Sequence, residues 1–389
     1  MRKPSVDISD ISSQFEGASA KVATVLRHVD MSKMGGLAHN KQPKIGDMVL
    51  AKVMEVGDKD TLQSKGGRNV ELHTGDHILV AYGNRYAVEE YEALIPDSLG
   101  VCHLVSSGGI AAEIVETNGL MKSPTIIKPL GLVTDQDGDV MNTKDFGLSN
   151  SGLKLDLKRR PVTIAVLGSG MDAGKTTSAT ALVKGLERAG HRVGFGKMTG
   201  TGLSSDIHKP QDAGAVTVCD FADMGYPSTY KVNTEELTDI LRGVTDYLSL
   251  RGAEVTVIEI ADGVLQSDNQ KLLQSEEFKS YIDGVFVAAD SGVSAITTVN
   301  ELNKHDMHVI GVGGRMMLAP LTVREFESVF SNGTAPEFGA LDLDDLNKGG
   351  TANAILESIH ARNPDIKYST SPVSENDNSE DEPETFDAA

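Results

Sequence analysis

Apolar and polar positions change their period twice along the chain. Ala18, Val22, Val25, Leu26 and Val29 recur near helical spacing, and Gly35-Gly36 closes the run, which predicts a helical segment within residues 1–42. From 43 to about 155 the pattern shortens. Apolar runs at 48–54 and 77–82 are bounded by Gly46-Asp47, Gly57-Asp58, Gly66-Gly67, Gly75-Asp76 and Gly83-Asn84, the punctuation of short strands and hairpins. This predicts a β-rich or barrel-like domain. Beyond Arg159-Arg160-Pro161, near-continuous apolar runs alternate with amphipathic ones. Strands are expected over 163–167, 192–197, 254–260, 284–289 and 308–312, and helices over 176–189, 234–250, 295–304 and 322–330. Strands of this kind, separated by helices, imply a parallel sheet covered on both faces. The fold class is therefore α/β, a parallel sheet flanked by helices over 160–365, preceded by the β-rich domain. Residues 366–389, acidic and without Lys or Arg after Lys367, read as a disordered, solubilising tail.

Composition narrows the function classes. With 36 Lys+Arg against 56 Asp+Glu the net charge is −20, so broad nucleic-acid binding through a basic surface is not expected. No run approaches the ~18–20 apolar residues of a membrane span, and the N-terminus leads into no apolar signal core. Two cysteines, Cys102 and Cys219, make neither a disulfide framework nor a cysteine-rich metal site. The reading is a reduced, cytoplasmic protein with Cys219 in a core.

Candidate chemistry concentrates where the first expected strand of the α/β region ends. Gly168-Ser169-Gly170-Met171-Asp172-Ala173-Gly174-Lys175-Thr176-Thr177 joins that strand to a helix. In this context backbone N–H groups of the loop and the helix start point at an anion, and glycines let the chain approach phosphate oxygens. Lys175 is placed on the β/γ-phosphates and the Thr176 hydroxyl on Mg²⁺. The common spacing fails, because Ser169 stands where that pattern has glycine and Gly168 lies one residue earlier. Asp172, inside the loop, orients a water, reaches across a dimer or is simply solvated.

The longer spacing, G-x5-G-K-T, resembles the loop of dethiobiotin synthetase and its relatives among dimeric P-loop ATPases and ligases. Gly196-Lys197-Met198-Thr199-Gly200-Thr201-Gly202 is similar to the substrate segment after their second strand. Ile260-Ala261-Asp262-Gly263 is similar to the end of their third. The run Asp212-Ala213-Gly214 through Asp220-Phe221 resembles an uncharacterised domain family of the same superfamily. The resemblance covers about residues 160–320. It implies a nucleotide, ATP or another NTP, with Mg²⁺, and a homodimer. It also implies that Asp212 is a metal ligand in the loop after strand two, a place for which Asp206 competes. Two family features are missing: the lysine after strand four, where Ala288-Ala289-Asp290-Ser291-Gly292 stands, and the adenine-reading Asn-Asp, replaced by Gly313-Gly314-Arg315. Diamine carboxylation therefore does not carry over.

Glu259, ending a buried strand, is costly unless it serves a cation, so Thr176, Glu259 and Asp212 form the expected metal set. Lys197, Thr199, Gly200 and Thr201 lie at the carboxyl end of a parallel strand, where open α/β sheets bind ligands, and Lys197 suits an anionic acceptor. Lys175, Lys197 and Asp172 are the candidate catalytic residues. The functional expectation is an ATP-binding, Mg²⁺-dependent ligase- or kinase-like enzyme acting on a small anionic metabolite such as a carboxylate. A nucleotide switch with a protein partner, or a non-ATP acyltransferase on the same fold, remains open. Ser106-Ser107-Gly108-Gly109 reads as a turn or as a second ligand loop.

Overall fold

The computed structural model describes residues 5–8, 18–148, 160–330 and 335–364. The tail expected over 366–389 lies outside them. The N-terminal half is a ten-stranded sheet that closes on itself. His77–Tyr82, Met48–Glu55, Thr125–Thr134, Cys102–Ser106 and Ile110–Thr117 are neighbours in turn, and Ile110–Thr117 returns to His77–Tyr82 through Ile110↔Ala81. Such closure needs strands that bend. The register slips between Leu104 and Ser106 and between Pro129 and Gly131, which also accommodates a proline inside a long strand. Small side chains (Ala51, Ala81, Ala111, Ala112) and branched ones (Val49, Val53, Leu79, Leu104) fill the interior.

The helix expected near the N-terminus is not there. Ser19–Val22 is a strand paired in parallel with His77–Tyr82, followed by the 3-10 turns Thr24–Leu26 and Met31–Lys33. Ala20 and Val22 face the core as alternate strand residues, and Val25 and Leu26 reach the same core from the turn. A strand plus a turn thus reproduced helical spacing.

The second half is a six-stranded, all-parallel sheet. Its order is Thr217–Asp220, Val193–Lys197, Val255–Glu259, Val162–Gly168, Gly284–Ala288, Val309–Gly313. Alternation along the central strand divides the core in two. Ile164 and Val166 meet the helices Lys175–Arg188 and Gly349–Arg362, while Ala165 and Leu167 face Thr234–Leu250 and Gly292–Lys304. At the foot of this strand Arg160 forks onto Asp283 at 2.6 and 2.9 Å, both residues buried, and the same carboxylate accepts from Thr163 N. The chain is thus a parallel α/β sheet flanked by helices, preceded by a β-rich N-terminal region.

The barrel rests on the carboxyl ends of the parallel strands. Arg27 ion-pairs with Asp220 and, at 2.6 Å, with Asp223; His28 Nε2 is 2.7 Å from the same Asp223 carboxylate. Against the cost of burial, Arg27 and His28 hold Asp223 below the ordinary carboxylate range, while burial pushes its neighbour Asp220 up. The turn at Ser106–Gly109 meets the loop after Val193–Lys197 so closely that a Cβ on Gly108 would lie 1.6 Å from the Gly202 carbonyl oxygen. Gln63 Oε1 accepts from Ser204 N and Oγ, both at 3.0 Å. Two halves that follow one another in sequence thus enclose the end of the sheet between them.

Candidate functional site

Val162–Gly168 ends at the loop, and Lys175–Arg188 begins immediately after it. Three backbone bonds hold the loop at separate points. Ser169 N donates to the Ala288 carbonyl at 2.9 Å, the Ala173 carbonyl accepts from Arg315 N at 3.0 Å, and Gly168 O accepts from Val264 N at 2.9 Å. Gly174 has φ +98°, and a Cβ there would approach Gly314 Cα to 3.2 Å, so the helix start needs glycine for both conformation and space. Asp172 adopts φ +56° and is exposed at the tip. Gly170 and Met171 are half-buried, Ala173 is buried, and Thr177 is exposed.

Lys175 turns back over the loop and donates to the Gly170 carbonyl at 2.7 Å. Burial lowers the pKa of its ammonium, opposed by Asp262 and Glu259. Thr176 Oγ1 donates to Glu259 Oε1 at 3.2 Å. Glu259 is 2% exposed, and its second oxygen, Oε2, is buried without a hydrogen-bond partner. An orphaned carboxylate oxygen beside a threonine hydroxyl fits a hard cation such as Mg²⁺, which takes few protein ligands and keeps water or phosphate oxygens. No group of three or more His, Cys, Asp or Glu residues able to hold a metal occurs among the described residues.

Lys197 ends its strand level with Glu259, 3.5 Å from Oε1, and is ion-paired with Asp206. Burial alone would lower its pKa, yet Glu259 and Asp206 hold it above the ordinary lysine value. Thr199 Oγ1 is engaged by the Ala261 carbonyl at 2.6 Å, and Gly200 N donates to Thr229 Oγ1 at 2.8 Å. Gly200 (φ +130°) and Thr201 line the opening. A cavity of about 530 Å³ joins these groups, bounded by Lys175, Thr176, Lys197, Gly200, Thr201 and Glu259.

Asp212 is not part of it. The segment expected as a loop contains the helix Ser205–Asp212; Asp206 on its first turn lines the cavity, whereas Asp212 is exposed on its last. Six residues at 1.5 Å per residue put them about 9 Å apart along the axis. The cavity holds further groups that the sequence did not single out: Asp262, Arg315, Lys209, and from the barrel Arg85 and Tyr86. Burial pushes the Asp262 carboxyl up against the pull of Lys175, Lys197 and Arg85. Only Asp262 had a local signal, its place directly after the Glu259 strand. Cys219 is buried in the core with its thiol pushed well up by burial, and the Cys102 thiol is pushed up to about 12 for the same reason.

No family model matches the chain, and no curated protein does. Solved structures overlap with it in part. The signal recognition particle 54 kDa protein of Aeropyrum pernix in complex with GDP is 17% identical over 57% of this chain and 54% of that one, with a TM-score of 0.32. The signal recognition particle receptor FtsY of Elizabethkingia anophelis is 15% identical over 40% and 50%, with a TM-score of 0.28. The cell division protein FtsY of Thermotoga maritima is 16% identical over 42% and 55%, with a TM-score of 0.29. The match spans about half the length of each of these structures. Among the described residues no helix is long and apolar enough to cross a membrane.

Proposed function

We propose that the chain binds a nucleoside triphosphate with Mg²⁺ and uses it to activate or phosphorylate a small anionic metabolite held beside Lys197. The observation that carries this reading is the shared cavity. The loop residues Met171, Asp172 and Gly174, the Thr176–Glu259 pair and the Lys197 ammonium border one space, to which the barrel contributes Arg85, Tyr86 and Ala87. The loop amides and Lys175 would hold the phosphates, Lys175 exchanging its bond to Gly170 for one to a phosphate oxygen. Thr176 and Glu259 would hold Mg²⁺, which when bound neutralises phosphate charge. Lys197, kept cationic by Glu259 and Asp206, would orient the acceptor's anionic group and offset charge on a transferring phosphoryl. The presence of Lys197 in the same cavity as the loop favours this over a switch whose only ligand is the nucleotide.

Calorimetric titration with Mg·ATP and Mg·GTP tests the first half. Lys175→Ala should weaken the bound nucleotide at least tenfold, about 1.4 kcal/mol. Equal binding by variant and parent would remove the basis of the reading. A screen for diphosphate release stimulated by small carboxylic acids tests the second half, and release unaffected by every acid would leave the switch as the better account.

A further inference from the structure

Arg85 is the barrel's charged contribution to a cavity whose other charged groups come from the parallel-sheet half. It lies in the short strand Arg85–Tyr86, paired with Tyr91–Leu94 at the end of the barrel sheet, with Arg85 opposite Ala93. From there it lines the same cavity as Lys175, Thr176, Glu259 and Asp262. It is only 7% exposed. Its Nη2 is anchored to Glu90 at 2.7 Å, while Nε and Nη1 are buried and have no hydrogen-bond partner. A guanidinium cannot relieve that state by losing its proton, and its planar fork matches the oxygens of a phosphate or carboxylate. One end of this side chain is therefore fixed, and two further donors are enclosed and unsatisfied in a residue that lines the same space as the loop before Lys175.

The position selects the anion. The loop amides and the helix start surround the inner phosphates of a nucleotide. Arg85 comes instead from the barrel side of the same cavity, where its charge interacts with that of Asp262, and would meet a bound nucleotide from outside the loop. Resting on the nucleotide reading above, we infer that Arg85 binds the terminal phosphate, so that the barrel distinguishes a triphosphate from a diphosphate. The N-terminal half then takes part in nucleotide recognition through a residue that no phosphate-loop pattern contains.

The test is calorimetric titration of the full chain, with Mg²⁺, using ADP and a non-hydrolysable ATP analogue, with the guanosine pair run in parallel. Arg85→Gln should weaken the triphosphate analogue at least tenfold and leave the diphosphate within twofold. Arg85→Lys, which keeps the charge but loses the fork, should fall between variant and parent; it carries the test if the glutamine variant does not fold. Glu90→Gln loosens the anchor without removing the guanidinium, and should reduce discrimination less than Arg85→Gln. Unchanged discrimination in the Arg85 variants, or an equal loss for both nucleotides, overturns the inference while leaving the nucleotide reading intact. A parent protein that binds neither nucleotide overturns both. An Arg85 directed at the acceptor instead would show as unchanged triphosphate binding with weakened acid-stimulated turnover, which also overturns it.

Discussion

A carboxylate oxygen with no partner in a 2%-exposed glutamate is an unusual thing for a chain to keep, because an unmet buried acceptor costs about 1–3 kcal/mol. Glu259 keeps it at the end of a strand, 3.2 Å through its other oxygen from the Thr176 hydroxyl and 3.5 Å from the Lys197 ammonium. Its surroundings make it the pivot between the expected cation and the expected acceptor. Glu259→Gln retains shape but removes the charge shared by both. Nucleotide titrated at a series of Mg²⁺ concentrations should then show a weaker apparent Mg²⁺ affinity, its midpoint shifted upward by severalfold, with the fold retained by circular dichroism. An unmoved midpoint would assign Glu259 to the lysine alone. Asp206→Asn provides the contrast, because that residue ion-pairs with Lys197, whereas Thr176 bonds Glu259. It should affect acceptor use more than metal dependence.

Among the elements, the turn at Ser106–Gly109 sets how closely the barrel approaches the sheet. A methyl group on Gly108 has no room beneath the Gly202 carbonyl, so Gly108→Ala should destabilise the protein by about 1–3 kcal/mol as the backbones move apart. Gly66→Ala, whose Cβ meets nothing within 4 Å, should stay within about 0.5 kcal/mol of the parent. Urea midpoints of the two variants decide the matter, and equal midpoints would show that the contact yields. Elements with complete local signals were readable without the structure. Thr234–Leu250 has Asn233 as its cap, acidic residues in its first turn and a stripe of Leu237, Ile240, Leu241, Val244 and Leu248. The strand–loop–helix unit around Lys175 was readable for the same reason, since strand, glycines, lysine and helix are contiguous. Thr217–Asp220 escaped because it is a four-residue edge strand, half covered, and Ser205–Asp212 because Pro210 argues locally against a helix. Arg85 was invisible to any local pattern: its relevance arises from residues such as Lys175 and Glu259, far away in sequence and brought near by docking of the barrel.

At the scale of the molecule, the docking rests on charge as well as on shape. Arg27 is the cation shared by Asp220 and Asp223, with Asp220 wholly covered and Arg27 itself nearly so. Removing one member of a buried ionic group leaves the others uncompensated, so Arg27→Ala should cost about 3–5 kcal/mol. Scanning calorimetry should register the loss, and Arg27→Lys should restore part of it; a change below about 1 kcal/mol would mean that water or His28 replaces the guanidinium. The phosphate loop is held in a comparable way, from outside itself, by Ala288, Arg315 and Val264. Its shape is thus set by the protein's own backbone contacts. If the proposed nucleotide binds there, little ordering of the chain is needed, so the conformational entropy lost should be small and the heat-capacity change should reflect surface contact rather than folding. On the proposed function, the Lys175 ammonium would have to let go of the Gly170 carbonyl before it could take hold of a phosphate.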